Sequence, residues 1–197
     1  MRIRPRIVKY GGAMFDQAEI DAVMNQLKDP AGLVPGPRVH EFERRVAAYM
    51  GKRHGVMVNS GSSALTVAMR LANLPLGSEV ITPALTFSSD VACIYQVGCT
   101  PVFVDVGLDD YQIRVDRIEG AITDTTRAIL IPDLVGGICD WDAVRDVADR
   151  HGLFVLHDSA DTLGGKPRGR PPAARADVSI PSFSSLHIIT AIGDGAM

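Results

Sequence analysis

Three short polar segments of this sequence each follow an apolar run, in places where side chains could bind a ligand. The first, Asn59 to Ser63, contains Gly61, Ser62 and Ser63 and opens a helical pattern. Glycine allows close approach to the backbone, and the free amides and positive dipole end of a helix suit a phosphate group. The segment matches neither a Walker A loop nor Gly-x-Gly-x-x-Gly. It therefore indicates either a phosphate site or a helix cap without a ligand.

The second segment supplies two carboxylates, Asp158 and Asp161, directly after the apolar run that ends at Leu156. An aspartate in this place either caps a helix or forms a buried carboxylate that can pair with a cationic ring nitrogen. Two carboxylates at this spacing could also bind a metal, but no third ligand has suitable spacing. We therefore expect no metal site.

The third segment, Thr82 to Phe87, ends in an aromatic residue. Phe87 is either an ordinary core residue or a flat face for an aromatic ligand. A further candidate, His187, lies near the end of the sequence. An imidazole can accept and donate a proton near neutral pH, which makes this residue a candidate acid–base group. The alternative is a histidine without a catalytic role.

Composition limits the classes of function. Hydrophobic residues make up 46% and charged residues 22% of the 197 residues, as in ordinary globular proteins. The net charge of -3 argues against nucleic acid or an acidic membrane surface as a partner. No apolar run has the length of a membrane span, and the N-terminal segment lacks the apolar core of a signal peptide. We therefore expect a cytoplasmic protein, with Cys93, Cys99 and Cys139 as buried small hydrophobic residues.

Short apolar runs alternate with amphipathic helical patterns along the chain. Asp16 and Glu19 form a capping box, and Trp141, Val144 and Val147 mark the inner face of a later helix. Strands are predicted at 55–58, 79–82, 101–104, 128–131 and 153–156, and helical patterns at 16–27, 39–49, 59–72 and 140–150. The alternation predicts an α/β fold with a mostly parallel sheet, in which ligands bind at the carboxyl ends of the strands.

An ordered set of motifs resembles one enzyme family. The motifs are Gly36-Pro37, Asn59 to Leu65, Gly77 to Pro83, Thr86-Phe87, Pro101 to Val106, Asp158 to Ala160 and Ser182-Phe183. In this order and spacing they resemble the DegT/DnrJ/StrS-type sugar aminotransferases, which depend on pyridoxal 5'-phosphate (PLP). The resemblance covers nearly the whole chain. It implies the three-layer, PLP-transferase-like large domain of the aspartate aminotransferase fold (fold type I).

The same resemblance implies how the cofactor phosphate is held. Gly61, Ser62 and Ser63 match the segment that binds it through backbone amides and hydroxyls. Ser182 would add a further hydroxyl group.

The resemblance also implies how the cofactor ring is held. Phe87 would stack on the pyridine, and Asp158 would pair with the protonated ring nitrogen. Asp161 belongs to the same implied site, at a position where many transaminases of the family carry Gln or His.

His187 occupies the position of the family lysine that bonds to the cofactor, and the lysines of this sequence, Lys9, Lys28, Lys52 and Lys166, all precede Ser182-Phe183. With Asp161 and Thr190, His187 resembles the deoxysugar 3-dehydratase branch. That branch holds pyridoxamine 5'-phosphate (PMP) without a covalent bond. Its histidine removes a proton while the C3 hydroxyl of a nucleotide-linked 4-keto-6-deoxy sugar leaves. The resemblance therefore predicts a 3-dehydratase with His187 as the base.

Three departures from the branch keep alternatives open. Ile188 follows His187 where dehydratases commonly carry a second histidine, His157 replaces an acidic residue, and the family's Glu-Gly-Gly is altered at Gly193 to Ala196. The alternatives are a sugar aminotransferase relative with an unassigned reaction, or a truncated, non-catalytic cofactor-binding protein.

Relatives of this type are considerably longer than the present sequence. We therefore expect an N-terminal helical arm at residues 1–35 and an incomplete PLP-binding large domain at 36–197, without the small C-terminal domain. The resemblance also implies a homodimer, and a partner chain that supplies the C-terminal part is a further possibility.

Overall fold

The computed structural model describes residues 12–29, 32, 35–191 and 194–197. Its helices are α1 (Gln17–Leu27), α2 (Pro37–Tyr49), α3 (Gly61–Leu71), α4 (Ser88–Gln96), α5 (Val115–Ile118) and α6 (Trp141–His151). Its strands are β1 (Glu79–Pro83), β2 (Thr100–Val104), β3 (Thr126–Pro132), β4 (Phe154–Asp158) and β5 (Val178–Ile180).

The strands form one sheet in the order β2-β1-β3-β4-β5, and every neighbouring pair is parallel. The carboxyl ends of parallel strands therefore meet at one edge. At that edge Pro132 of β3 lies beside Asp158 of β4, which in turn lies beside Ile180 of β5. The predicted α/β fold with a mostly parallel sheet is confirmed.

Helices cover both faces of the sheet. Successive strand side chains point to opposite faces, so Ile129 and Val155 join a cluster with α6, whereas Leu130 and Leu156 join one with α3 and α4. The strands consequently carry near-continuous apolar runs, as expected of a parallel sheet that is buried on both faces. The arrangement of helix, sheet and helix gives the three predicted layers.

Helix α6 shows how the local sequence determines an element. The side chain of Asp140 accepts a hydrogen bond from the amide of Ala143 and caps the start of the helix. Gly152 ends it with a φ of 64°, a left-handed conformation that glycine adopts at little cost. Trp141 and Val144 are buried against the sheet, as the helical spacing predicts.

The strands differ from the predicted ones in two places. Residues 55–58 do not form a strand, because no neighbouring strand pairs with them; Val58 makes only an isolated bridge to Ala196 and Val56 is exposed. Conversely, β5 was not predicted. Its three residues are too short for a periodic signal, and pairing with β4 is what defines the strand.

The N-terminal helix has the predicted capping box of Asp16 and Glu19, but none of its residues is buried. In α2, Val46 is buried as predicted, whereas Phe42 and Tyr49 are exposed. The division into an arm at 1–35 and a large domain at 36–197 stays a prediction, since residues 1–11, 30–31 and 33–34 lie outside the described residues.

Two further expectations concern the chain as a whole. Cys93, Cys99 and Cys139 are free and buried, as predicted. Among the described helices, none combines the length and apolar character needed to span a membrane. The cytoplasmic location stays a prediction.

Candidate active site

A cavity of about 560 Å³ lies at the carboxyl edge of the sheet. The start of α3, the loop between β1 and α4, the ends of β3 and β4, and the segment after β5 all contribute to its wall. The cavity brings together most of the sequence-predicted residues: Gly61, Ser62, Phe87, Asp158, Asp161, Ser182 and His187 line it. Ser63 is not among the lining residues.

The hydrogen bonds at the start of α3 explain why Ser63 does not line the cavity. Ser60 is the N-cap of the helix, in line with the helix-cap alternative for this segment. Its hydroxyl accepts a hydrogen bond from the Ser63 amide at 3.3 Å and donates one to the Ser63 hydroxyl oxygen at 3.1 Å. These bonds engage the polar groups of Ser63 within the cap. Gly61 and Ser62, at the first turn, present amides that have no partner within the helix. The free donors of this end therefore come from Gly61 and Ser62.

Phe87 stands at the N-cap position of α4, with 64% of its surface exposed. It is therefore not a core residue. Its ring borders the cavity, where an aromatic face is available to a flat ligand.

Asp158 ends β4 and is almost entirely buried, and its Oδ1 accepts a hydrogen bond from the amide of Ala160 at 2.9 Å. Beside it lies Asp90 of α4, which is fully buried and was not predicted from the sequence. Burial and, second to it, the charge of Asp90 raise the pKa of Asp158 to about 8, against the opposing effects of Ala160 and His157. The site thus contains a buried carboxyl pair, which titrates as a unit.

A network of hydrogen bonds lies behind this pair. His157 is buried; its Nε2 lies 2.9 Å from Asp133 Oδ2 and its Nδ1 lies 2.8 Å from the hydroxyl of Ser179. Asp133 also accepts bonds from the Cys139 amide and the Trp141 indole, at 2.9 and 3.0 Å. The histidine that replaces an acidic residue of the family therefore has a buried carboxylate as its partner.

His187 lines the same cavity and has a polar neighbour at each ring nitrogen. Its Nδ1 lies 2.7 Å from the hydroxyl oxygen of buried Ser182, and its Nε2 lies 3.9 Å from Asp161 Oδ1. The other oxygen of Asp161 accepts a bond from the amide of Val135 at 3.0 Å. A hydroxyl and a carboxylate thus orient an imidazole that is only partly exposed, which is an arrangement suited to acid–base chemistry.

Of the residues missed by the sequence, Asp90 left a detectable signal. It shares helical spacing with Cys93, Ile94 and Val97, which are apolar, so a carboxyl on the buried face of a helix could have been recognised.

Within the described residues, no group of three or more potential His, Cys, Asp or Glu metal ligands occurs.

A family model for the DegT/DnrJ/EryC1/StrS aminotransferases matches residues 14–197. The chain belongs to this family. The DegT/DnrJ/EryC1/StrS membership confirms the resemblance that the motifs carry.

Curated relatives and solved structures agree with this assignment. The spore coat polysaccharide biosynthesis protein SpsC of Bacillus subtilis (strain 168) is 36% identical over 194 residues, which cover 98% of this chain and 49% of that protein. The dTDP-4-dehydro-2,6-dideoxy-D-glucose 3-dehydratase of Saccharopolyspora spinosa is 34% identical over 196 residues, covering 95% and 42%. The chain thus spans about half the length of these relatives. Other relatives bear the names of sugar-nucleotide transaminases.

The fold is also that of a solved family member. Spr1654 of Streptococcus pneumoniae, in its PLP form, superposes with a TM-score of 0.89 at 29% identity, covering 96% of this chain and 52% of that one. The same protein is known in a PMP form. The predicted PLP-transferase fold is therefore confirmed, and so is the PLP or PMP cofactor at the level of the family.

Proposed function

We propose that this chain binds PLP or PMP in the cavity and acts in nucleotide-deoxysugar biosynthesis as a 3-dehydratase on a nucleotide-linked 4-keto-6-deoxy sugar. The observation that carries the proposal is the placement of His187, between Ser182 and Asp161, in the cavity that also contains Asp158 and Phe87.

The chemical groups of the cavity fit this cofactor. The unpartnered amides at the start of α3 and the Ser62 hydroxyl suit a phosphate. The exposed face of Phe87 suits a pyridine ring, and the buried carboxyl of Asp158 suits its protonated nitrogen. Asp158 lines the cavity, whereas a carboxyl oxygen of Asp90 that lacks a hydrogen-bond partner is buried outside its lining.

Within the described residues, no lysine reaches the cavity. None of Lys28, Lys52 and Lys166 lines the cavity, and Lys9 lies outside the described residues. The Lys52 ammonium donates to the carbonyl oxygens of Ala176 and Asp177, and the Lys166 ammonium lies 5.2 Å from the centre of the Tyr49 ring. These contacts hold both cations away from the cavity.

Each residue of the site has a separate role in the proposed reaction. A bound pyridoxal or pyridoxamine ring supplies an electron sink for a carbanion. Asp158 keeps the ring nitrogen protonated, Phe87 fixes the plane of the ring, and Ser62 holds the phosphate. With the cofactor bound, neutral His187 would take a proton from the cofactor methylene, and the charged imidazole would give that proton to the C3 hydroxyl, which would leave as water. Ser182 and Asp161 orient the two nitrogens of that imidazole.

The test measures turnover of a 4-keto-6-deoxy sugar nucleotide in the presence of PMP. Mass spectrometry detects the reaction as loss of the C3 oxygen from the sugar. We expect His187→Asn to lower the rate about a hundredfold or more, since a general base typically contributes that much. The exposed His54 provides the matched control His54→Asn, for which we expect no change. Undiminished turnover in His187→Asn would exclude this residue as the base.

Cofactor binding is measured separately by absorbance, dialysis and borohydride reduction. We expect PLP to be removed by dialysis from the unaltered chain and to be trapped covalently only in His187→Lys. A trapped adduct on a lysine of the unaltered chain would instead favour the second candidate function, a sugar aminotransferase, which the transaminase names of several relatives support. No spectral change with either cofactor would contradict the cofactor site.

The partners of the chain are also proposals. We propose a homodimer, or a partner chain that supplies the part corresponding to the rest of the longer relatives. The side chains of Leu186, Ile188 and Ile189 beside the cavity are all exposed, which supports a covering surface there.

A further inference from the structure

The side chains of Asp90 and Asp158 meet in the buried layer between α4 and the end of β4. Asp90 is 0% exposed and Asp158 is 7% exposed, so neither carboxyl has enough water around it to stabilise a negative charge. One oxygen of Asp90 accepts a hydrogen bond from the Thr86 hydroxyl at 2.6 Å, whereas the other, Oδ1, is buried without a partner. A proton between the two carboxyls would satisfy that oxygen.

We propose that Asp90 is a positioning residue of the cofactor site, which shares one proton with Asp158 and takes that proton when a cationic ring nitrogen meets Asp158. The role rests on the proposed function, because only a bound cofactor brings such a cation to Asp158. The chain then presents one negative charge to one positive charge. Two ionised carboxyls side by side in a buried site would repel each other.

The surroundings of the pair determine where the proton lies without a cation. Burial raises the pKa of Asp90 to about 6, less than for Asp158, since Thr86 and the Phe87 backbone stabilise the ionised Asp90. The proton therefore resides on Asp158, which donates it to Asp90. A cation at Asp158 favours ionisation of that carboxyl, so the proton transfers from the Asp158 oxygen to the Asp90 oxygen, and Asp90 becomes the hydrogen-bond donor.

The other charged groups near the pair do not provide a competing partner. His157 opposes the rise in the pKa of Asp158, and burial holds the Cys93 thiol protonated by raising its pKa to about 12. Helix α3, which packs on α4, contributes apolar residues and carries Arg70 in its exposed last turn. Strand β2 has no titratable side chain, and Glu79 lies at the opposite end of β1.

The sign of the pH dependence follows from the direction of both shifts. An unfolded carboxyl has its ordinary pKa near 3.8, so the folded chain retains protons that the unfolded chain has released. The pair stabilises the fold fully below that pH. The contribution is lost as the pH rises through about 6 and about 8, the folded pKa values of Asp90 and Asp158.

The test uses infrared spectroscopy of the full chain at pH 7, without cofactor, to detect the carbonyl stretch of a protonated carboxyl. We expect this band in the unaltered chain and its loss in Asp158→Asn, which removes the carboxyl that carries the proton. An Asn at position 90 can accept from Thr86 and donate to Asp158, as protonated Asp90 would. We also expect the unfolding free energy of Asp90→Asn to fall less between pH 4 and pH 8 than that of the unaltered chain.

Titration with PLP adds a second readout. We expect Asp90→Asn to retain the affinity within about threefold and Asp90→Ala to lose about tenfold or more, since only Asn can donate to the Asp158 carboxylate. The exposed Asp124 gives the control Asp124→Asn, which should alter neither the band nor the affinity. Absence of the acid band from the unaltered chain, or equal affinity in Asp90→Asn and Asp90→Ala, would overturn the role of Asp90. A chain that shows the band but binds neither PLP nor PMP would instead contradict the proposed function.

Discussion

At the scale of single residues, His157 and Asp133 form a buried hydrogen-bonded pair next to the candidate site. Both side chains are buried, and the pair is surrounded by the Trp141 indole, the Ser179 hydroxyl and the Thr162 hydroxyl. Removal of one member of a buried hydrogen-bonded pair leaves the polar group of the other member without a partner, which costs free energy. The pair therefore stabilises the wall behind Asp158 only while it is complete.

We predict that Asp133→Ala lowers the free energy of unfolding by about 3 kcal/mol or more, because His157 and Trp141 both lose their acceptor. The exposed Asp109 provides the control, and Asp109→Ala should change the value by less than about 0.5 kcal/mol. Urea unfolding followed by Trp141 fluorescence measures both. Equal losses in the two variants would show that the network does not stabilise the fold.

Several site residues could be predicted from the sequence because they follow apolar strands or open a helix. Asp158, Phe87 and Ser62 were identified in this way, and the structure places all of them at one cavity. Asp90 was missed, and so was the place of Ser60 in the cavity wall, whereas a helix cap was one of the two alternatives for the segment. The role of Ser63 in the site stays a prediction. The role of each of these residues depends on the partner that it contacts in the folded structure. Such contacts join distant parts of the chain, so the local sequence does not reveal them.

At the scale of elements, pairing decides which apolar segments become buried. Strand β3 lies between β1 and β4 and is covered on both faces, so its apolar run has a place in the core. The segment at 55–58 is also apolar but has no neighbouring strand. Helix α1 has helical apolar spacing and a complete cap, yet none of its residues is buried. Periodicity predicted the type of these elements, whereas burial depends on neighbours.

Two leucines test this difference with the same chemical change. Leu130 on β3 is 0% exposed and Leu27 at the end of α1 is 56% exposed. We predict that Leu130→Ala lowers the free energy of unfolding by about 3 kcal/mol, from lost burial and the cavity left behind. Leu27→Ala should change it by less than about 0.5 kcal/mol. Chemical denaturation measures both, and similar losses would mean that α1 packs on the fold.

At the scale of the whole molecule, the chain exposes more large apolar side chains than its cavity explains. Met14, Phe15 and Met24 are exposed in and before α1, and Phe103 is exposed on β2, at the edge of the sheet. Large exposed apolar patches commonly mark a surface that another protein covers. The edge strand also offers unpaired backbone groups. These features support the proposed association of the chain with a second copy.

If the chain forms a homodimer, its stability must depend on concentration, because association adds to the free energy of the folded state. We predict a dimer in sedimentation experiments and an unfolding free energy that rises by about 1.4 kcal/mol for each tenfold increase in chain concentration. His187→Asn provides a useful comparison, since it alters the proposed chemistry beside the cavity while the dimer should persist. A monomer whose unfolding midpoint is the same over a hundredfold range of concentration would contradict the homodimer. Such a monomer would leave the exposed apolar surface to a different partner chain.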